Sequence, residues 1–166
     1  MMNETVLNAL NDQIKHELHS AYVYLGVSAY CDRMSLPGFA HWMRLQSQEE
    51  VSHAMKILDF INDRGGIVKL QAIDAPAFDF GTPLQIAEKA LEHERKVTGL
   101  IENLYGLAAK EGDYATQALM QWFVTEQVEE EKNAGLLVDQ MKMIGDNRTA
   151  LLMLDMELGK RQSEAG

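Results

Sequence analysis

The sequence predicts an all-α chain, a four-helix bundle of two antiparallel hairpins joined by one long crossover, with a short fifth helix at the C-terminus. Three observations predict it. Apolar residues recur at alternating steps of three and four along four long stretches, the period of one face of a helix. The first and last connections between those stretches are only a few residues long, whereas the middle one is extended. No stretch shows the strict alternation of a half-buried strand, and there is no tandem repeat or low-complexity segment.

The first helix is expected over residues 5–33, where Leu7, Leu10, Ile14, Ala21, Ser28 and Cys31 share a face and Ser35-Leu36-Pro37-Gly38 ends the pattern. The second carries Phe39, Met43, Ile57 and Phe60 on its seam and stops at Gly65-Gly66, a C-terminal signal. The third starts at Thr82-Pro83, threonine as cap and proline in the first turn, and runs through Leu84, Ala87, Leu91, Ile101 and Tyr105 toward Gly112. The fourth spans 114–144 with Leu119, Phe123, Ala134, Leu137 and Met141 on its seam, and Gly145-Asp146-Asn147 terminates it. A fifth, over 147–159, presents Leu151, Leu154 and Leu158. It is too short to be stable alone and a four-helix core has no place for its apolar face, so other subunits are expected to cover it.

A second helix of about 27 residues is about 40 Å long, and the segment 66–82 reaches roughly 55 Å when extended, so it can cross the whole bundle. The expected organisation is a single domain over 1–166, with the bundle at 5–144, the crossover at 66–82 and the fifth helix at 147–159.

At 166 residues and 46% hydrophobic content, the chain can bury a core without disulfides. A net charge of −10 leaves no cationic excess to displace counterions from phosphates, which argues against a nucleic-acid partner and favours cations. One cysteine, Cys31, no apolar run of bilayer length and no secretion signal make a reducing cytoplasm the expected compartment, with no membrane partner.

Acids interrupt the apolar seams. Glu17 and Tyr24 lie on the first, Glu50 and His53 on the second, Glu94 on the third, and Gln127 and Glu130 on the fourth, each near the middle of its helix. An up-and-down bundle brings them to one height. A Glu-x-x-His on one helix is common on solvated faces, but acids on four buried seams at one level are not, because each buried carboxylate costs several kcal/mol unless compensated. No Lys or Arg occupies these seams, and His53 alone cannot balance four carboxylates. A pair of divalent cations can, and a carboxylate-rich set with one imidazole and no thiolate suits hard metals such as Fe or Mn.

Glu17 with Tyr24, the run Gln48-Glu49-Glu50-Val51-Ser52-His53, Glu94, Gln121-Trp122 and the run Glu126-Gln127-Val128-Glu129-Glu130-Glu131-Lys132 resemble the corresponding segments of bacterial non-haem ferritins over essentially the whole chain. The resemblance implies iron storage and detoxification, with a ferroxidase, an enzyme oxidising Fe(II) to Fe(III) with O2 or H2O2, working at a di-iron centre. It implies that Glu17, Glu50 and His53 hold the first iron, that Glu50 bridges to a second held by Glu94 and Glu130, and that Gln127 belongs to the same metal set. Tyr24 and Trp122 would be redox-active aromatics. Glu49, Glu126, Glu129 and Glu130 match a further iron site toward the cavity of a homo-oligomeric, 24-subunit shell. Release of stored iron would need a reductant partner that no motif names.

Where symmetric di-iron bundles carry a second Glu-x-x-His, this chain has Gln127-x-x-Glu130, which implies looser holding of the second metal and suits iron in transit. Val51 stands where bacterioferritins place the haem-ligating methionine, so no haem is expected. The absence of Cys-x-x-Cys pairs removes the rubredoxin module of rubrerythrins, and the fifth helix sets the chain apart from the small DNA-protecting ferritins. Gln117 and Met120 stand where animal ferritins place pore acids, so no pore residue is assigned. Two rivals remain. A non-catalytic iron-binding shell would not need buried acids, and a di-iron peroxidase or oxygenase would need a substrate pocket where the seams look filled.

Overall fold

The computed structural model describes residues 2–163 and, among them, five helices and no strand: α1 (Glu4–Arg33), α2 (Pro37–Asp63), α3 (Pro83–Lys110), α4 (Tyr114–Ile144) and α5 (Arg148–Leu158). Caps set most of the starts. Asn3, Asp113 and Asn147 each accept a backbone N–H of the first turn, and Thr82 forms a reciprocal capping box with Gln85 ahead of Pro83. α1 packs along α2 and α3 along α4, as short connections require.

The core is divided into two apolar halves. One contains Tyr24, Val27 and Cys31 of α1, Phe39 and Met43 of α2, Ile86 and Ala90 of α3, and Leu137 and Met141 of α4. The other contains Val6, Leu10 and Ile14, then Ala54, Ile57 and Ile61, then Val97, Ile101 and Leu104, and finally Met120 and Phe123. α2 and α3 both run from the first half to the second, so they are parallel, and the connection between them must return along the whole bundle. It does so against α1. Asn11 donates to the Ile67 carbonyl at 3.1 Å and accepts from the Lys69 amide at 2.6 Å, while at the other end the Tyr30 hydroxyl donates to Asp79 at 2.9 Å and Phe80 is buried in the core.

Two expectations change in detail. The buried face of α3 consists of Ile86, Ala87, Ala90, Glu94, Val97, Ile101, Leu104 and Ala108, one step around from the expected seam, with Leu84, Leu91 and Tyr105 only partly buried at its border. α5 covers its own bundle instead of leaving its apolar face wholly to neighbours. Leu151, Leu154 and Leu158 pack on the first half of the core, while Leu152, Met153 and Met156 remain exposed.

α5 is docked through one buried carboxylate. α2 begins at Pro37 with Leu36 at its N-cap, a residue unable to accept a hydrogen bond, and Asp155 Oδ1 accepts from the Phe39 amide at 2.8 Å in its place. The α5 backbone comes so close that a Cβ on Gly38 would lie 1.6 Å from the Asp155 carbonyl oxygen.

Candidate metal centre

Between the two apolar halves lies a polar layer contributed by the middle of every long helix: Glu17 and Ser20, Gln46, Ser47, Glu50 and His53, Glu94, and Gln127 and Glu130, all buried. The helical period puts them there, since each lies on the core-facing stripe and halfway along its helix.

Three of these residues converge. Glu17, Glu50 and His53 each offer a ligand atom, and those atoms lie within 4.8 Å of one another. His53 Nδ1 stands 3.7 Å from Glu17 Oε2 and 3.7 Å from Glu50 Oε2. Both of those oxygens are buried without a hydrogen-bond partner. Buried acceptors are normally satisfied, so two orphaned carboxylate oxygens aimed at one imidazole nitrogen form a cradle suited to a cation.

Glu94 and Glu130 sit in the same layer, but their oxygens are turned to other partners. Glu94 Oε1 accepts from the Tyr24 hydroxyl, and Gln127 Nε2 approaches Glu94 Oε2 at 3.3 Å and the Glu94 carbonyl at 3.2 Å. Glu130 Oε2 accepts from Gln46 Nε2 at 2.9 Å. The remaining acids lie outside the buried layer. Glu49 and Glu126 are half-buried and Glu129 is exposed. Both Glu49 oxygens accept from Arg161 Nη2, at 2.9 and 2.8 Å.

Gln13, Thr98 and His93, three of the supporting groups, were not singled out from sequence. Gln13 Nε2 donates to Glu17 Oε1 at 2.7 Å, a pairing that spacing by one helical turn could have signalled. Thr98 donates to Glu131 Oε1 at 2.7 Å and lies 3.2 Å from Gln127 Nε2. His53 is wedged edge-on between Trp122, 5.4 Å away between ring centroids, and Phe123 at 5.7 Å. His93 bonds Ser20 Oγ at 2.8 Å and meets the Tyr24 ring edge-on. Its burial pushes it down to about 4, so it is neutral.

Beside Tyr24 the seams are not wholly filled. A mostly apolar cavity of about 170 Å³ is lined by Tyr24, Met43, Phe80, Ile86 and His93 among others. It is smaller than the roughly 300–1,000 Å³ of small-molecule sites, which disfavours an organic substrate.

Electrostatics divides the protons unevenly. Burial alone would depress the His53 imidazolium, but the Glu17 and Glu50 carboxylates facing its Nδ1 at 3.7 Å outweigh it and push His53 up to about 11. Burial, together with Glu17 and Glu94 nearby, raises Glu50 well above the carboxylate range. Burial also works against ionised Glu17, yet the His53 imidazolium facing it and the hydrogen bond from Gln13 hold it below its ordinary value. Burial raises Glu94, and burial plus the Glu94 charge raises Glu130 to about 7.

The Glu130 shift has a signed consequence. A carboxyl raised from 4.5 to about 7 on folding stabilises the fold below pH 4.5, and that stability is lost as pH rises through 7. Glu130→Gln, which stays neutral, should therefore make chelator-treated protein more stable than wild type by about 3 kcal/mol at pH 8, with no advantage at pH 4. Melts at the two pH values test this, and a difference independent of pH would contradict it.

The comparisons with known proteins follow the same lines. A family model described as a ferritin-like domain matches residues 7–144. The chain is similar to the bacterial non-heme ferritin of Bacteroides fragilis (strain 638R), 45% identical over 161 residues, covering 97% of this chain and 100% of that one. The bacterial non-heme ferritin of Staphylococcus aureus (strain USA300) is 40% identical over 161 residues, covering 97% of each. Among solved structures, an open pore ferritin from the hyperthermophilic archaeon Archaeoglobus fulgidus superposes with a TM-score of 0.97 at 46% identity, covering 98% of this chain and 100% of that one.

Proposed function

The chain belongs to the ferritin family, stores iron and acts as a ferroxidase, and from that premise we propose how its residues do so. Glu17, Glu50 and His53 hold one Fe(II), and Glu50 reaches toward a second held by Glu94 and Glu130, with Gln127 alongside. The observation that carries this reading is the convergence of the unpartnered Glu17 and Glu50 oxygens on His53 Nδ1. A hard cation there meets two acceptors that nothing else satisfies, inside a layer that otherwise concentrates negative charge.

Iron binding displaces protons, because an imidazole coordinates only when neutral and a carboxyl best when ionised. His53 and Glu50 hold theirs tightly, so loading weakens as pH falls. On oxidation each Fe(II) gives up one electron. A pair supplies the two electrons that convert O2 and two protons to H2O2, or H2O2 and two protons to water. The surrounding carboxylates favour Fe(III) because its extra charge offsets theirs. Tyr24 positions Glu94 by hydrogen bonding, and Trp122, against the His53 ring, is placed as a redox-active neighbour. Oxidised iron then passes to a third site formed by Glu49, Glu126, Glu129 and Glu130. The second metal, next to Gln127 instead of a histidine, is the looser of the pair.

We place the chain in a homo-oligomeric, closed shell of about 24 subunits. Exposed Tyr22 and Leu25 on α1, Met55 on α2, Leu70 and Phe78 on the crossover and Met153 and Met156 on α5 supply apolar surface for its contacts. No helix among the described residues is long and apolar enough to cross a membrane. A reducing cytoplasm suits the one buried thiol, Cys31. We assign iron but no haem, on the ground of Val51, and no nucleic-acid partner, on the ground of charge.

The test is an anaerobic Fe(II) titration followed by O2 or H2O2. Rapid oxidation of about two Fe(II) per subunit is expected, with iron retained through gel filtration on a particle whose light scattering matches the shell. Slow oxidation only, growing with accumulated mineral, would leave the buried centre without its assigned role.

A further inference from the structure

Arg161 lies just beyond α5, outside the metal-binding residues and every motif in the sequence, yet it is held more firmly than a surface arginine. Its guanidinium lies over the Trp42 ring at 4.6 Å, and Nη1 approaches the Trp42 carbonyl at 3.5 Å. Its own carbonyl accepts from His41 Nε2 at 2.7 Å. What it grips is Glu49, with Nη2 donating to both carboxylate oxygens at 2.9 and 2.8 Å. The Arg161 and Glu49 side chains are only 19% and 17% exposed, so the pair is stronger than a solvated one, yet water and ions can still reach it.

Glu49 adjoins Glu50 in the chain, and its charge reaches Glu130. We propose that Arg161 is a built-in competitor at the third iron site: it occupies the Glu49 carboxylate, and a metal ion gains that ligand only by displacing the guanidinium. This rests on the reading of Glu49 as an iron ligand. Both oxygens are engaged by the arginine, so Glu49 cannot serve a metal in full while the pair is closed. The competitor is permanent in charge, because a guanidinium does not deprotonate in the working pH range. It is also tied to α5, whose docking through Asp155 sets where residue 161 can reach. The third site is thereby kept weak, which favours passage of iron over retention.

Terbium(III), an oxygen-seeking ion with no redox chemistry under these conditions, is the probe. Assembled, metal-free protein is titrated and followed by luminescence, and the phase lost in Glu49→Gln identifies binding that uses Glu49. Arg161→Gln should tighten that phase about tenfold, since a charge-assisted hydrogen bond no longer opposes it. In the double variant with Glu49→Gln the gain should vanish, which separates competition from general loosening of the C-terminal segment. Should Arg161→Gln fail to assemble, Arg161→Lys, which keeps the charge and loses the planar fork, should tighten the phase about threefold. An unchanged Glu49-dependent phase in the assembled arginine variant would overturn the proposal and leave the third-site reading standing. A gain that survives in the double variant would overturn it as well. If Glu49→Gln alters no phase in either background, Glu49 is not a ligand, and the reading falls together with the proposal.

Discussion

Glu50→Gln should reduce the initial rate of Fe(II) oxidation at least about a hundredfold while leaving chelator-treated protein as stable as wild type or more so. The two halves of this expectation share one cause. Burial and the neighbouring Glu17 and Glu94 already favour the neutral form of Glu50, and its Oε2 has no hydrogen-bond partner. Glutamine reproduces that neutral state and adds an N–H that can reach the orphaned Glu17 oxygen. Glu17 remains 3.7 Å from His53 Nδ1, so the imidazolium keeps an anionic partner in the metal-free fold. What disappears is the anionic oxygen that we propose is shared between two iron positions. If instead these acids served only a buried hydrogen-bond network, breaking it would cost about 3–5 kcal/mol. Thermal melts paired with stopped-flow oxidation distinguish the cases, and a variant that melts far earlier yet oxidises iron at the normal initial rate would remove Glu50 from the site.

Gly38→Ala should undock α5, lower stability by about 3 kcal/mol and break up the proposed shell, although the change adds a single methyl group. The new carbon would lie 1.6 Å from the Asp155 carbonyl oxygen and 3.0 Å from Asp155 Cγ, so the helix must move away. As it moves, the Phe39 amide loses the carboxylate that caps α2, and Leu36 offers no replacement. Gly106→Ala is the matched control. That glycine lies exposed within α3 with nothing within 4 Å of the added carbon, so alanine there should stabilise by about 0.5–1 kcal/mol. Light scattering and melts of both variants test the pair. An intact shell with normal melting in Gly38→Ala would mean that α5 docking does not depend on this contact.

Part of this was open to sequence reasoning because a helix converts spacing into direction. Glu17, Glu50, His53, Glu94, Gln127 and Glu130 are all buried, as their places on the seams imply. The α3 seam shows how tolerant that inference is. The expected face was rotated by one position, with Leu84, Leu91 and Tyr105 on it where Ile86, Ala90, Val97 and Leu104 are the buried residues, yet Glu94 and Ile101 lie on both stripes. A stripe is wider than one residue, so a central position survives a small error in its axis.

The order of elements, the two hairpins, the crossover and the level of the buried acids were determined by sequence alone, because periodicity and loop length are local quantities that leave few packings available. Tertiary structure alone decided the rest. That Glu17 and Glu50 present bare oxygens to His53 while Glu94 and Glu130 turn to Tyr24, Gln127 and Gln46 depends on rotamers chosen among neighbours from four helices. Asp155 caps α2 from 116 residues away. Arg161 closes on Glu49 from 112 residues away. Neither contact leaves a trace in periodicity, because an aspartate on a short helix and an arginine after it look like ordinary surface residues until the chain folds back. Once it has folded, burial turns each charge into a specific partner, since a desolvated charge without one would be too costly to keep.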